Sequence, residues 1–514
     1  MEVRVPGGWR AGAIAALSVV TVVAVVLGLV AHFSTTPGSP AAATPTAGAG
    51  LTVPGSAAPV LLPVANGGPL PSTAALAKEL APLLRQPALG PHVGAEVVDL
   101  ATGQSLYGLN AGAAFMPAST AKLLTAAAAL TTLGPDYRIR TRVVAGAEAG
   151  QIVLVGAGDP TLASQPPAGF VPAPASLPAL ARATAVALRL RGITVVRLSY
   201  DSTLFAAPGT SPSWPAGYLS SGQVAPITAL SVDEGRTSAI VEGPAPRVAD
   251  PASAAAAAFA RQLRRYGVTV TGTPGPIKAP PTPAASPSAT VGSAQASGAV
   301  SAPTSTPAAS GDTAGAPGVL PVAGTPLASV VSPRLADLVG WMLAASDNDL
   351  AEALAHLTAL AKGEPATFAG GVIAVERVLA DLGLPKQGLH LDDGSGLSRA
   401  TLVPPDMLTA LLTLAAQSGR PALRPLLTGL AVAGFTGSLA NRFDGPTTRT
   451  GAGVVRAKTG TLTQVTAMAG IVQDASGRLL GFDFVADRVS PTGTLAAREA
   501  LDLAASALAG CGCG

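Results

Sequence analysis

The sequence predicts an α/β (α+β) chain: a five-stranded antiparallel sheet flanked by helices, with a β-rich domain inserted into it. Three observations carry that prediction. An early pair of strand-like runs, "VGAEVVDLATGQSLYGLN" (93–110), turns tightly at "ATGQ" and reads as a hairpin. Three late runs, "GVVRAKTG", "TAMAGIVQD" and "RLLGFDFVAD", have the length and apolar content of buried strands and complete five if the hairpin joins them. Between the two sets, the pattern over 137–277 changes to short strands with little helix, as an excursion from the first domain would.

Taken in order, the chain of 514 residues begins with Arg4 and Arg10 ahead of an uncharged apolar segment, 11–31. About 20 apolar residues span a bilayer as a helix. Positive charge before them keeps the N-terminus cytoplasmic and sends the remainder outside. Residues 1–32 are therefore expected to be a cytoplasmic N-terminus and a signal or anchor helix, with the uncleaved anchor favoured. Residues 33–72 are Ala, Pro, Thr and Gly with few large apolar groups, and read as a disordered linker.

A helix over 73–84 leads into the hairpin. The run "FMPASTAKLLTAAAALTTLGP" follows, a buried helix stopped by Gly134-Pro135. The runs "RIRTRVVAG", "GQIVLVGAG", "ITVVRLSYD" and "TSAIVEG", with one helix near 177–191, make the inserted β-rich domain, 137–325. It carries a second low-complexity stretch at about 279–318, read as a disordered loop. Helices return over 332–345, 349–362 and 372–382, and a last one covers 494–508. Residues 73–136 and 326–514 thus form one discontinuous domain.

Charge excludes some functions. A net charge of +3 with no basic run or aromatic-basic stripe gives no footprint for nucleic acid. The two cysteines, Cys511 and Cys513, cannot make a zinc site alone, and either pair in an oxidising compartment or lie in a tail without function. Among the four histidines there is no H-E-x-x-H, and the chain has no G-x-S-x-G, which counts against a zinc peptidase and an α/β-hydrolase. His356, one turn after Glu352, reads as structural, and Asp159 as a turn residue.

Three short motifs carry chemistry instead. Ser119-Thr120-Ala121-Lys122 is the sole S-x-x-K, and residues three apart share a helix face. A buried ammonium is costly, so burial lowers the pKa of Lys122 and frees its amine to take the proton of Ser119. Ser346-Asp347-Asn348 falls between two helical runs, where a loop presents Ser346 and Asn348 inward. Lys458-Thr459-Gly460-Thr461 lies on a strand. Alternation sends Lys458 and Gly460 to one face, so Thr459 is expected to need a twist or bulge to reach a pocket. Gly460 is expected to let a substrate backbone approach. The bland alternatives are helix caps for Ser119, Ser346 and Asn348, a snorkelling Lys122 and a solvated Lys458.

All three motifs, in this order, resemble those of low-molecular-mass class C penicillin-binding proteins, the D-alanyl-D-alanine carboxypeptidase/endopeptidase family. Blocks from about residue 74 to residue 509 extend the resemblance: "GAGDPTL", "SAIVEG", "SDNDLAEAL", "DDGSGLSR", "AGFTGSLANR" and "AKTGTL". The low-complexity loop and the long apparent anchor depart from the family pattern. The resemblance implies a penicillin-binding or serine β-lactamase-like fold and a serine hydrolase acting on peptidoglycan stem peptides through an acyl-enzyme. It implies β-lactams as covalent inhibitors, an extracytoplasmic place in the cell envelope, and no metal or cofactor. By the same resemblance Ser119 is the nucleophile, Lys122 its base, and Ser346 a proton relay. Asn348 would hold the substrate amide and Lys122, while Lys458, Thr459 and Thr461 bind the terminal carboxylate. Backbone N–H groups of Ser119 and Thr461 form the oxyanion hole around Gly460, and Arg399 is a further candidate for a substrate carboxylate. The alternatives are a serine β-lactamase, which the insertion disfavours, and an inactive wall-binding protein.

Overall fold

The computed structural model describes residues 68–165, 172–240, 242–283 and 318–512. Most of the expected linker, the segment 11–31, the low-complexity loop beyond residue 283 and Cys513 lie outside the described residues. Among the described residues no helix is long and apolar enough to cross a membrane.

Helix α1 (Thr73–Leu84) starts where Ser72 Oγ accepts the Ala75 N–H at 3.2 Å, a side-chain N-cap. The hairpin of β1 (Val93–Asp99) and β2 (Ser105–Leu109) follows, then a 3₁₀ turn over Ala118–Ala121 that runs into α2 (Lys122–Leu133). Ala126 to Ala129 on α2 are fully buried, and Thr131 is the one exposed residue of this helix. Gly134, at φ 85°, ends it.

The excursion holds β3 (Arg140–Ala145), β4 (Gln151–Val155), α3 (Leu177–Arg189), β5 (Val195–Asp201), α4 (Pro251–Arg265), β6 (Thr269–Pro276) and β7 (Pro326–Val331). Its sheet runs β6-β5-β4-β3-β7. The β4–β5 and β5–β6 pairs are parallel, while β3 pairs antiparallel with β4 and β7. Three expectations need correction here. The described residues of "TSAIVEG" form no strand. A second helix, α4, and the strand β6 were not foreseen, so the excursion is a mixed α/β layer. Residues 326–331, assigned above to the discontinuous domain, are the edge strand β7 of the second sheet.

The chain then returns through α5 (Leu335–Ala345), α6 (Asn348–Ala361), α7 (Phe368–Asp381) and α8 (Pro405–Ala416), the last unforeseen. It ends with β8 (Ala431–Val432), β9 (Val455–Leu462), β10 (Val465–Gln473), β11 (Leu479–Ala486) and α9 (Thr494–Gly510). The first sheet runs β2-β1-β11-β10-β9-β8, every pair antiparallel: the five expected strands and a two-residue sixth. Helices α1 and α9 bury one face, with Leu76, Leu80, Leu84, Leu501 and Leu508 against Phe482 and Phe484. On the other face α8 lies over β1, β10 and β11, and Val98, Ala469 and Ile471 share one core with the apolar residues of α2, α6 and α8. Each fully buried leucine contributes roughly 1.5–3 kcal/mol of transfer free energy, so the doubly covered sheet is a firm base for the site on its edge.

Candidate active site

Ser119 lies in the 3₁₀ turn that enters α2, preceded by Ala118 at φ 48°. A left-handed, non-glycine residue is strained, and such strain collects where geometry is fixed by the surroundings. Ser119, next in the chain, lines a cavity of about 520 Å³ together with Ser346, Asn348, Thr459 and Thr461.

Lys122 is fully buried, and its Nζ meets three oxygens. Asn348 Oδ1 lies at 2.6 Å and the Ser395 carbonyl at 2.8 Å, and both can only accept. The third, Ser119 Oγ at 2.8 Å, is a hydroxyl with a proton of its own to give. A neutral amine fits this set: two N–H bonds outward and one lone pair toward Ser119. Burial, opposed by the carboxylates of Asp393, Glu352, Asp347 and Asp349, brings the Lys122 pKa down to about 8.

Ser346 caps the C-terminus of α5 in a left-handed conformation (φ 60°, ψ 41°). Asp347 is the N-cap of α6, accepting the Leu350 N–H at 2.9 Å. The three-residue turn therefore ends one helix and starts the next, which fixes Asn348 in the first turn of α6. The Asn348 amide nitrogen donates to the Gln223 carbonyl at 2.8 Å, tying the turn to the excursion.

Lys458 is also fully buried and does not line the cavity. Its Nζ donates to Ser346 Oγ and to the Thr459 carbonyl, both at 2.8 Å. Burial, then the charge of Lys122, holds its pKa well below the ordinary lysine value. Thr459 and Thr461 do line the cavity without the bulge expected of them. The β9–β10 register is continuous from Val455 to Leu462, and β8 pairs only with Arg456 and Ala457. Past Ala457 the strand is a free edge, and the cavity runs along it. Thr459 Oγ1 donates to Ser438 Oγ at 2.8 Å.

Gly460 admits the chain itself, not a substrate backbone as expected. A Cβ there would stand 2.4 Å from the Pro117 carbonyl oxygen and 3.2 Å from the Ala118 Cβ. Arg399 is not drawn into the cavity: it is exposed, and its Nη1 donates to the Thr463 carbonyl at 2.9 Å. His356, as expected, is buried among Phe205 and Phe368 with Nδ1 2.8 Å from the Glu352 carbonyl. Asp159 closes its turn onto Thr161.

The "DDGSGLSR" block does more than turn. Glu352 Oε1 and Oε2 accept the N–H groups of Ser395 and Gly394 at 2.8 and 3.0 Å. Thr125 Oγ1 donates to the Gly394 carbonyl at 2.6 Å, which leaves the Ser395 carbonyl aimed at Lys122. Asp393 accepts from the Gly396 and Ser398 N–H groups and from Trp214 Nε1. Glu352 and Ser395 were thus missed as site residues. A helical glutamate 42 and 43 residues from its two partners leaves no local sequence signal.

A serine set against a buried lysine, under a free strand edge carrying a second serine–lysine pair, on a sheet between two helical layers, is the architecture of the penicillin-recognising serine hydrolases. The crystal structure of penicillin binding protein 4 from Haemophilus influenzae shares the fold, with a TM-score of 0.60 over 84% of this chain and 98% of that one, at 20% identity. The chain belongs to the D-Ala-D-Ala carboxypeptidase 3 (S13) family, whose profile matches residues 76–246 and 314–508. It is 34% identical over 466 residues to a protein named carboxypeptidase DacB from Mycolicibacterium smegmatis, covering 90% of this chain and 89% of that one. A carboxypeptidase of Mycobacterium tuberculosis is 34% identical over 458 residues (88% and 87%). A D-alanyl-D-alanine carboxypeptidase of an Actinomadura species is 31% identical over 477 residues (85% of each).

Proposed function

We propose that the chain is a serine-type D-alanyl-D-alanine carboxypeptidase, with endopeptidase action on cross-links, that works on peptidoglycan stem peptides. The observation that carries the mechanism is the 2.8 Å contact between Ser119 Oγ and a buried Lys122 amine whose pKa is about 8. Lys122 takes the Ser119 proton as Oγ attacks the carbonyl before the terminal D-alanine. The tetrahedral oxyanion is held by the backbone N–H groups of Ser119 and Thr461, a contribution of about 3 kcal/mol in comparable sites. Ser346, in contact with Lys458, gives its proton to the leaving amine and is reprotonated by the proton Lys122 took from Ser119, and the C–N bond breaks to leave the acyl-enzyme and D-alanine. Water then hydrolyses the ester. Asn348 orients Lys122 and the substrate amide. The terminal carboxylate sits on Thr459 and Thr461 along the strand edge, with the buried Lys458 behind them donating to Ser346 Oγ and to the Thr459 carbonyl. Arg399 stands outside the cavity and takes no step in this scheme. Segment 11–31 anchors the enzyme on the outer side of the membrane, and the domains divide as 73–136 with 332–514 against the excursion 137–331.

A penicillin offers a strained amide and a carboxylate to the same groups. The native protein is expected to bind a fluorescent penicillin covalently, and Ser119→Ala to lose all labelling. Defined muropeptides should lose one alanine, or a cross-linked dimer should be halved, as read by mass. Labelling that persists in Ser119→Ala identifies another nucleophile, and rapid release of the drug identifies a β-lactamase.

A further inference from the structure

Beside the Ser346-Asp347-Asn348 turn lies a buried charge cluster that the mechanism above does not use. Glu234 is 1% exposed and comes from the excursion. It occupies the middle of a turn in which three successive residues are left-handed: Asp233 (φ 53°), Glu234 (φ 55°) and Gly235 (φ 65°). Two of them carry a Cβ, so the surroundings hold the turn against local preference. Glu234, Arg236, Arg247 and Asp347 line the same cavity as Ser119. Carboxyl oxygens of Glu234, Asp347 and Asp349 come within 4.8 Å of one another.

The two arginines account for only part of this charge. Arg236 Nε donates to Glu234 Oε2 at 2.9 Å, and Arg247 pairs with Asp349 at 3.0 Å and lies 3.7 Å from Glu234 Oε2. Glu234 Oε1 finds no hydrogen-bond donor among the described residues, although it is buried. Two guanidinium groups facing three buried carboxyl groups leave one negative charge in excess. A metal cation is a poor answer with two arginines already present. One proton neutralises the cluster and supplies the missing hydrogen bond.

We propose that Glu234 is a positioning residue of the active site: it shares one proton with Asp347, and this carboxyl–carboxylate pair holds the turn that presents Ser346 and Asn348. The inference rests on the proposed function of that turn. Burial, and next the charge of Asp347, push the Glu234 carboxyl well above the usual carboxylate range, and Asp349 is pushed up to about 7. The remaining neighbours fit. Glu242, which lines the cavity, is exposed. Asp233, which accepts the Ser164 N–H, lines a separate recess with Arg261 of α4. When the shared proton leaves at alkaline pH, two buried like charges face each other and the turn relaxes. Asn348 Oδ1 then leaves Lys122.

The test is the rate of penicillin acylation of Ser119 in the full-length native protein, Glu234→Gln and Glu234→Ala, between about pH 6 and about pH 10. Lys122 and Lys458 titrate in all three proteins, so the differences between them report on Glu234. Glutamine donates an N–H to Asp347 at every pH. It is expected to stay within about 3-fold of the native rate near neutrality and to shift the alkaline decline to higher pH or abolish it. Alanine removes the shared proton while Asp347 keeps the Leu350 N–H and Trp341 Nε1 as donors, and acylation is expected to slow by ~10-fold near neutrality. Thermal melting of both variants checks that each is folded. Superimposed alkaline limbs for the native and glutamine proteins, or a folded alanine variant at the native rate, overturn the inference while the function stands. A native protein that is not acylated at Ser119 overturns the function, and the inference with it.

Discussion

At Lys122 two opposing influences meet. Complete burial strips the ammonium of water, while Asp393, Glu352, Asp347 and Asp349 favour keeping the charge; burial wins, and the pKa falls to about 8. The sign of the pH dependence follows. Below that value the amine is protonated and has no lone pair for the Ser119 proton, so acylation rises as pH passes through about 8. For the fold the same depressed pKa runs the other way. Its favourable contribution is complete only above the unfolded lysine value and is lost as pH falls through about 8, so at neutral pH Lys122 strains the fold that positions it. The predicted measurement is the second-order rate of penicillin acylation against pH, with its lower limb centred near 8. A rate flat from about pH 6 to about pH 9 would mean that no group in this range acts as the base.

Elements set how closely the reacting groups approach. Strand β9 and the turn carrying Ser119 touch at Gly460, where an added Cβ would lie 2.4 Å from the Pro117 carbonyl oxygen. Both partners are backbone, so neither gives way cheaply. Gly460→Ala is predicted to destabilise the protein by about 1–3 kcal/mol and, by moving the serine turn against the strand, to slow acylation by ~10–100-fold. An unchanged melting temperature together with an unchanged acylation rate would show that the contact is slack. The elements that form this junction were legible in the sequence, because each is a long apolar run with a clear stop. Strand β6 was not. Gly272, Pro274, Gly275 and Pro276 interrupt its pattern, yet it is an edge strand, where missing N–H groups and side chains are tolerated. "TSAIVEG" erred in the opposite direction. Its alternation suits a strand, but the chain around it turns at Glu234, and Arg236 and Arg247 bridge to each other and fold inward to buried acids. Tertiary charge pairing overrode the local pattern.

Over the whole molecule, the described residues belong to one compact unit, and the excursion is part of the active-site wall. Tyr218, Gln223, Glu234, Arg236 and Arg247 line the cavity, Gln223 holds Asn348, and Trp214 holds Asp393. None of this was readable from the sequence, since every one of these contacts joins residues more than 100 positions apart or depends on an unforeseen turn. Ser119, Lys122, Ser346, Asn348 and Lys458 were readable because their chemistry is carried by short motifs, and Lys122 meets Asn348 across 226 residues and Lys458 meets Ser346 across 112. The central claim is that these distant motifs form one catalytic unit in which Lys122 accepts a proton. Replacing Lys122 by arginine keeps the positive charge and removes the ability to accept, because the guanidinium does not deprotonate. The decisive measurement is the penicillin acylation rate of Lys122→Arg at neutral pH, followed by intact mass. The account predicts a folded protein, melting within about 5 °C of the native one, that is acylated at least ~100-fold more slowly. Acylation within about tenfold of the native rate would contradict it.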